Sequence, residues 1–158
     1  METTDLRAAY DEFIEVASSG GFGSPPPQEW RAEMVMAHLA ANDLRLLEVT
    51  QAVLAGDAAR LDTLRLDNVG TNEWDSAALE EFIAAHPDLI GEIRKGSVTL
   101  CDAAERLDEQ TAATMVPLHL VHAGSVVVDE AMPWGQFLLG AGPNHVRGHA
   151  NQLRALRT

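Results

Sequence analysis

The sequence predicts a mainly α-helical fold with a short β-hairpin before its last helix, and three observations carry that expectation. Apolar residues recur at three- and four-residue spacings over much of the chain. The stretch from Glu29 to Ala55 contains neither proline nor glycine. One segment, MVPLHLVHAGSVVVDEA, breaks the helical pattern with clustered β-branched residues on both sides of Ala123-Gly124.

The first helix is expected over about residues 5–16, where Leu6, Ala9, Tyr10, Phe13 and Ala17 form one stripe and Asp11, Glu12 and Glu15 lie largely off it. Ser18-Ser19-Gly20-Gly21 stops it, and the Gly/Pro-rich stretch through Pro25-Pro26-Pro27 is a stiffened loop. A long second helix follows over 29–55, with Val35, Leu39, Leu46, Val49 and Val53 in its seam and Asn42 as the polar residue among them. Gly56 ends it. Residues 57–74 read as a crossing segment with a helical turn near 58–64 and turn chemistry in Asn68-Val69-Gly70-Thr71-Asn72.

Asp75 or Ser76 caps a third helix carrying Leu79, Phe82, Ile83, Ile90 and Ile93, which Pro87 should kink or divide. Lys95-Gly96 marks its expected end, with a further helical piece after Thr99 running to about Leu107. In the hairpin that comes next, Pro117 is expected to hold its strand at an edge. A short helix over 134–139 then precedes the last one, introduced by Gly140-Ala141-Gly142-Pro143.

At 158 residues the chain fits one domain, 1–158, large enough to bury a core without covalent staples. The single cysteine, Cys101, excludes an intramolecular disulfide framework. METTDLRAAY lacks the pattern of a signal peptide, and no apolar run approaches a membrane span, so a cytoplasmic protein with no membrane partner is expected. With 11 Lys plus Arg against 24 Asp plus Glu, the net charge of -13 repels nucleic-acid backbones. The scattered carboxylates serve solubility.

Chemistry concentrates in the histidines. On the last helix His145, His149, Gln152 and Leu156 follow a 4-3-4 spacing, which points both imidazoles inward, one turn apart, where they can share a metal ion. Gly148 sits beside them at a helical cost of about 1 kcal/mol relative to alanine, which suggests a close backbone approach there. His38 lies on the long apolar helix between Met34, Val35, Ala41 and Asn42; its conjunction with the C-terminal pair makes it the third candidate ligand. His119 and His122 read as surface or turn residues of the hairpin, and His86 as the residue at the Pro87 break. No nucleophile motif, phosphate loop or general base is identifiable.

The W-x7-H pattern of Trp30 and His38, followed by H-x-x-x-H-x-x-Q at His145, His149 and Gln152, resembles the DinB-like (YfiT-type) superfamily, related to the N-terminal domain of mycothiol-dependent maleylpyruvate isomerase. The resemblance covers nearly the whole chain. It implies a four-helix bundle with a long crossover between the second and third helices, and one divalent metal ion, zinc or nickel, on His38, His145 and His149. It further implies a transferase or isomerase using a low-molecular-weight thiol such as mycothiol or bacillithiol, acting on a small-molecule substrate. Two departures stand out. Many relatives carry an H-x-x-x-H-H run with a following Arg-Gly where this helix reads NHVRGHANQLRAL, and the thiol-dependent isomerase branch usually has a glutamate where this chain has His145.

A metal-dependent hydrolase would use the same three ligands, and a non-catalytic stress or binding protein would use the metal to shape a pocket. By analogy with other bundle proteins, a homodimer is expected, with the first or third helix supplying the apolar face.

Overall fold

Apolar stripes on four helices meet around a shared interior. The computed structural model describes residues 1–27, 29–64, 66–67, 76–122 and 125–158. Helix α1, Thr4–Ser19, buries Leu6, Ala9, Tyr10, Phe13, Val16 and Ala17. It ends at Gly20, whose φ of 62° lies in the left-handed region that glycine adopts without a Cβ penalty. Helix α2, Ala32–Ala55, starts slightly later than its apolar pattern suggests, because Arg31 is still extended. Trp30 therefore precedes the helix rather than belonging to it, yet its ring is buried. Gly56, in the left-handed conformation, closes α2 as expected.

The crossing segment holds α3, Ala58–Leu64, and a two-residue strand β1, Leu66–Asp67. The expected turn at 68–72 and the cap at Asp75 lie outside the described residues. Pro87 divides the third helix as its chemistry requires, into α4, Ser76–Ala85, and α5, Leu89–Glu105. Asp88 restarts the helix by accepting a hydrogen bond from the Gly91 amide at 2.9 Å.

The expected stop at Lys95-Gly96 is corrected: α5 runs through it without interruption. Gly96 faces α2, where a Cβ would stand 3.4 Å from Cβ of Asp43, an ordinary contact, so the glycine neither ends the helix nor is demanded by its packing. Thr99, expected to open a new piece, lies mid-helix and donates from Oγ1 to the Lys95 carbonyl at 2.8 Å. The capping box falls later, at Asp108 and Thr111, on the short α6, Glu109–Ala112.

The hairpin is formed by β2, Met115–His122, and β3, Ser125–Pro133, paired antiparallel from Met115↔Pro133 to His122↔Ser125. Its tip, Ala123-Gly124, lies outside the described residues. β2 is not an edge strand along its whole length, because β1 pairs with it in parallel at Leu66↔Leu118 and Asp67↔His119. That pairing begins one residue past Pro117, so the missing N–H falls where no second neighbour asks for it. Helix α7, Trp134–Gln136, runs into a π-helical turn, Phe137–Ala141, and then into α8, Gly142–Ala155. Pro143 has no N–H to give the carbonyl one turn back, and its ring presses on that turn; the wider π geometry accommodates both.

Helices α1, α2, α5 and α8 form the bundle, with α1 and α2 each packed against both α5 and α8. The crossover expected between α2 and the third helix is present. α2 spans two apolar clusters. Its N-terminal half, with Val35, Ala37 and Leu39, packs with Phe13 of α1, Ile93 of α5 and Val146 and Leu153 of α8. Its C-terminal half packs Val49 and Val53 against Leu100, Val116, Leu118 and Trp134. Trp134 is fully buried and donates its indole N–H to Oγ1 of Thr50 at 3.1 Å, so its polar edge is satisfied. On the outside, Arg154 with Glu12 at 2.7 Å and Arg147 with Asp5 join α8 to α1.

One ionisable pair lies inside the bundle. The Tyr10 hydroxyl donates to Oδ1 of Asp43 at 2.5 Å, and both residues are buried. Burial pushes the Asp43 carboxyl up to about 8 against the opposing effect of Tyr10. No helix among the described residues is long and apolar enough to cross a membrane.

Candidate metal centre

Three imidazoles from the two ends of the chain converge where α2 faces α8. His38 sits on the buried seam of α2 at 1% exposure. His145 and His149 are stacked one turn apart on α8 and are half-buried, as their i, i+4 spacing predicts. The ring centroids of His38 lie 5.6 Å from His145 and 4.9 Å from His149, and those of His145 and His149 lie 4.6 Å apart. One ring nitrogen from each residue falls within 4.8 Å of the other two. A tetrahedral ion with metal–nitrogen bonds of 2.0–2.1 Å needs its nitrogens about 3.3 Å apart, which modest ring rotation reaches from here.

The surroundings orient the rings. Nδ1 of His149 lies 3.0 Å from Oε1 of Gln152, and a carboxamide oxygen only accepts, so Nδ1 carries the proton and Nε2 presents its lone pair. The spacing of His149 to Gln152, one turn along α8, was legible in the sequence; the role of Gln152 as the group that orients the ring was not. Nε2 of His145 is sealed from solvent and makes no hydrogen bond among the described residues. A buried ring nitrogen of that kind, as lone pair or as N–H, is costly unless something takes it up. Trp30 leans on His38 with ring centroids 5.0 Å apart, walling the site from the loop before α2.

All three rings are held neutral, the form a metal requires of imidazole. Burial pushes His38 down to about 2, helped by the neighbouring His149 and His145. His145 is lowered to about 3 by burial and then by His149. His149 is also lowered by burial, against the opposing pull of Gln152. The cluster contains no carboxylate or thiol among the described residues, so an ion held here would keep coordination positions open. Cys101, buried on α5, is not part of it.

The remaining histidines lie elsewhere in the fold. His86 stands in the break between α4 and α5, stacked on Phe82 with centroids 4.2 Å apart and 3.6 Å from Glu92. His119 lies on β2 with Nδ1 2.9 Å from Oδ1 of Asp129 across the hairpin. The side chain of His122 lies outside the described residues.

Gly148 corrects an expectation. It is exposed, and a Cβ built on it meets nothing within 4 Å, so no close approach beside the ring pair requires a glycine. Gly148→Ala is therefore expected to raise stability by about 0.5–1 kcal/mol, because alanine loses less backbone freedom in a helix. A urea denaturation midpoint higher than that of the unchanged protein, with an unchanged slope, checks this.

No known protein family, no curated protein and no solved structure matches the chain. The site is defined by its own residues, as three neutral imidazoles on two packed helices that can hold one metal ion.

Proposed function

We propose that the chain binds one divalent metal ion, zinc or nickel, through His38, His145 and His149, and that it works as a DinB-like transferase or isomerase on a small molecule carried by a low-molecular-weight thiol such as mycothiol or bacillithiol. The single observation that carries this reading is the convergence of three ring nitrogens within 4.8 Å, with no fourth ligand in the cluster among the described residues. An ion bound there supplies a Lewis acid that lowers the pKa of a thiol or a water.

The protein's own residues do the rest. His149 is locked in the tautomer that offers Nε2 by its proton donation to Gln152, and burial keeps His38 and His145 free of competing protons. Trp30 packs against the His38 ring. A bundle with a crossover and histidines at these positions supports the DinB-like assignment.

Calorimetric titration of mycothiol and bacillithiol into zinc- or nickel-loaded protein tests the proposal. One thiol is expected to bind per metal-loaded chain, with no heat in the metal-free protein. Metal-dependent ester or amide cleavage without thiol affinity would instead establish a hydrolase. Neither thiol binding nor turnover would leave a protein whose metal shapes a binding pocket.

A further inference from the structure

Beyond the three imidazoles, a further polar side chain of α2 is buried in the bundle. Asn42 is buried at 3% exposure, and its Oδ1 finds no hydrogen-bond donor among the described residues. A carboxamide oxygen in that condition has given up its water without replacement, which natural cores rarely leave so.

The position of Asn42 on α2 indicates what that oxygen faces. At about 100° per residue, Asn42 stands roughly 40° round the helix from His38 and one turn further along. Its neighbour Asp43 stands about 140° round from His38, and the Asp43 carboxyl is turned to Tyr10 on α1 and Gly96 on α5. Side chains on a helix lean toward its N-terminus, so Asn42 covers the turn that carries His38. Asn42 thus shares the face of α2 that carries His38, one turn further along.

We propose that Asn42 is a positioning residue of the metal centre whose Oδ1 accepts a hydrogen bond from the proton-bearing ligand in an open coordination position, water in the resting protein. The inference rests on the metal-binding reading above. A neutral acceptor in a low-dielectric pocket favours ligands that carry a proton and disfavours anions that present only lone pairs. At the coordination position it faces, Asn42 therefore favours water or a hydroxyl over proton-free anions, leaving another open position to a thiolate.

Cobalt(II) and azide are suitable probes, because the visible spectrum of bound cobalt reports both its own binding and the entry of azide. The unchanged protein is expected to bind one cobalt per chain. Asn42→Leu, similar in shape but without an acceptor, is expected to keep its cobalt affinity to better than the roughly 10-fold that loss of a direct imidazole partner costs. It should bind azide about 3- to 10-fold more tightly, because water has lost its acceptor. Asn42→Asp, which keeps an acceptor and adds charge, should bind azide more weakly than the unchanged protein.

Equal azide affinity in Asn42→Leu and the unchanged protein would overturn the inference, as would loss of cobalt binding in an Asn42→Leu chain that circular dichroism shows folded. Should Asn42→Leu not fold, the Asn42→Asp comparison decides alone, and azide affinity equal to or above that of the unchanged protein overturns it. Failure of the unchanged protein to bind cobalt at all is a separate signal, which removes the metal-binding reading itself.

Discussion

Replacing His149 by alanine is expected to weaken binding of a divalent metal by about a hundredfold or more. Structural zinc sites with four ligands are worth roughly 10–16 kcal/mol in apparent binding free energy at neutral pH, or about 3–4 kcal/mol per ligand, and each 1.4 kcal/mol is tenfold in affinity. His149 also carries the best-oriented ring of the three, through Gln152. Gln152→Ala should be milder, at about 10- to 100-fold, because it frees the ring without removing it.

The same loss appears in stability. A metal present at a thousand times its dissociation constant stabilises the fold by about 4 kcal/mol, which for a chain of this size raises Tm by about 8–16 °C. His149→Ala, binding about a hundredfold or more weakly, is expected to keep at most about a third of that rise. Isothermal titration and a thermal melt with and without metal measure the two effects independently. An unchanged metal-induced rise in His149→Ala would exclude His149 as a ligand.

The second large effect is an acid-side loss of stability in the metal-free protein. His38, His145 and His149 are all lowered in the fold from an ordinary imidazole value near 6.5, His38 to about 2 and His145 to about 3. Between those folded values and 6.5 the unfolded chain binds protons that the folded chain refuses, so stability falls as the pH falls. His38 and His145 each contribute about 1.4 kcal/mol per pH unit over that range, so together they approach about 3 kcal/mol per unit below pH 6, and His149 adds in the same direction. Above pH 6.5 the triad contributes no slope. Asp43 acts in the opposite direction, costing stability as the pH rises toward its folded value of about 8. For these four groups the metal-free protein is most stable near pH 6.5. Denaturant midpoints across pH 4.5–8 follow this, and His38→Leu should flatten the acid limb by about half or more, because Asp43 offsets one imidazole's share over the same range. A curve without an acid limb would mean that the imidazoles are not buried neutral.

Much of this was legible in the sequence because the causes are local. α2 shows itself by the absence of proline and glycine and by its apolar seam, and the division of α4 from α5 follows from the chemistry of Pro87 alone. The hairpin is announced by β-branched residues around Ala123-Gly124, and the inward direction of His145 and His149 by their spacing.

What escaped the sequence depends on partners distant along the chain. Gly96 looks like a helix stop although α5 runs through it beside Asp43, and the parallel pairing of β1 with β2 joins residues with three helices between them. Gly148 shows the opposite error, since a mid-helix glycine beside two histidines suggested close packing where the structure has open space. The convergence of His38 with the C-terminal pair is also a long-range event. Spacing alone does not produce it, and it was anticipated through family resemblance.

X-ray absorption of the zinc-loaded protein tests the central claim most directly. One zinc per chain, with about three imidazole nitrogens at 2.0–2.1 Å and a light, exchangeable atom completing the shell, is the expected result. The spectrum should change in His38→Ala as much as in His149→Ala. Zinc that binds with fewer than two imidazoles, or a spectrum unaffected by the His38 substitution, would contradict the account.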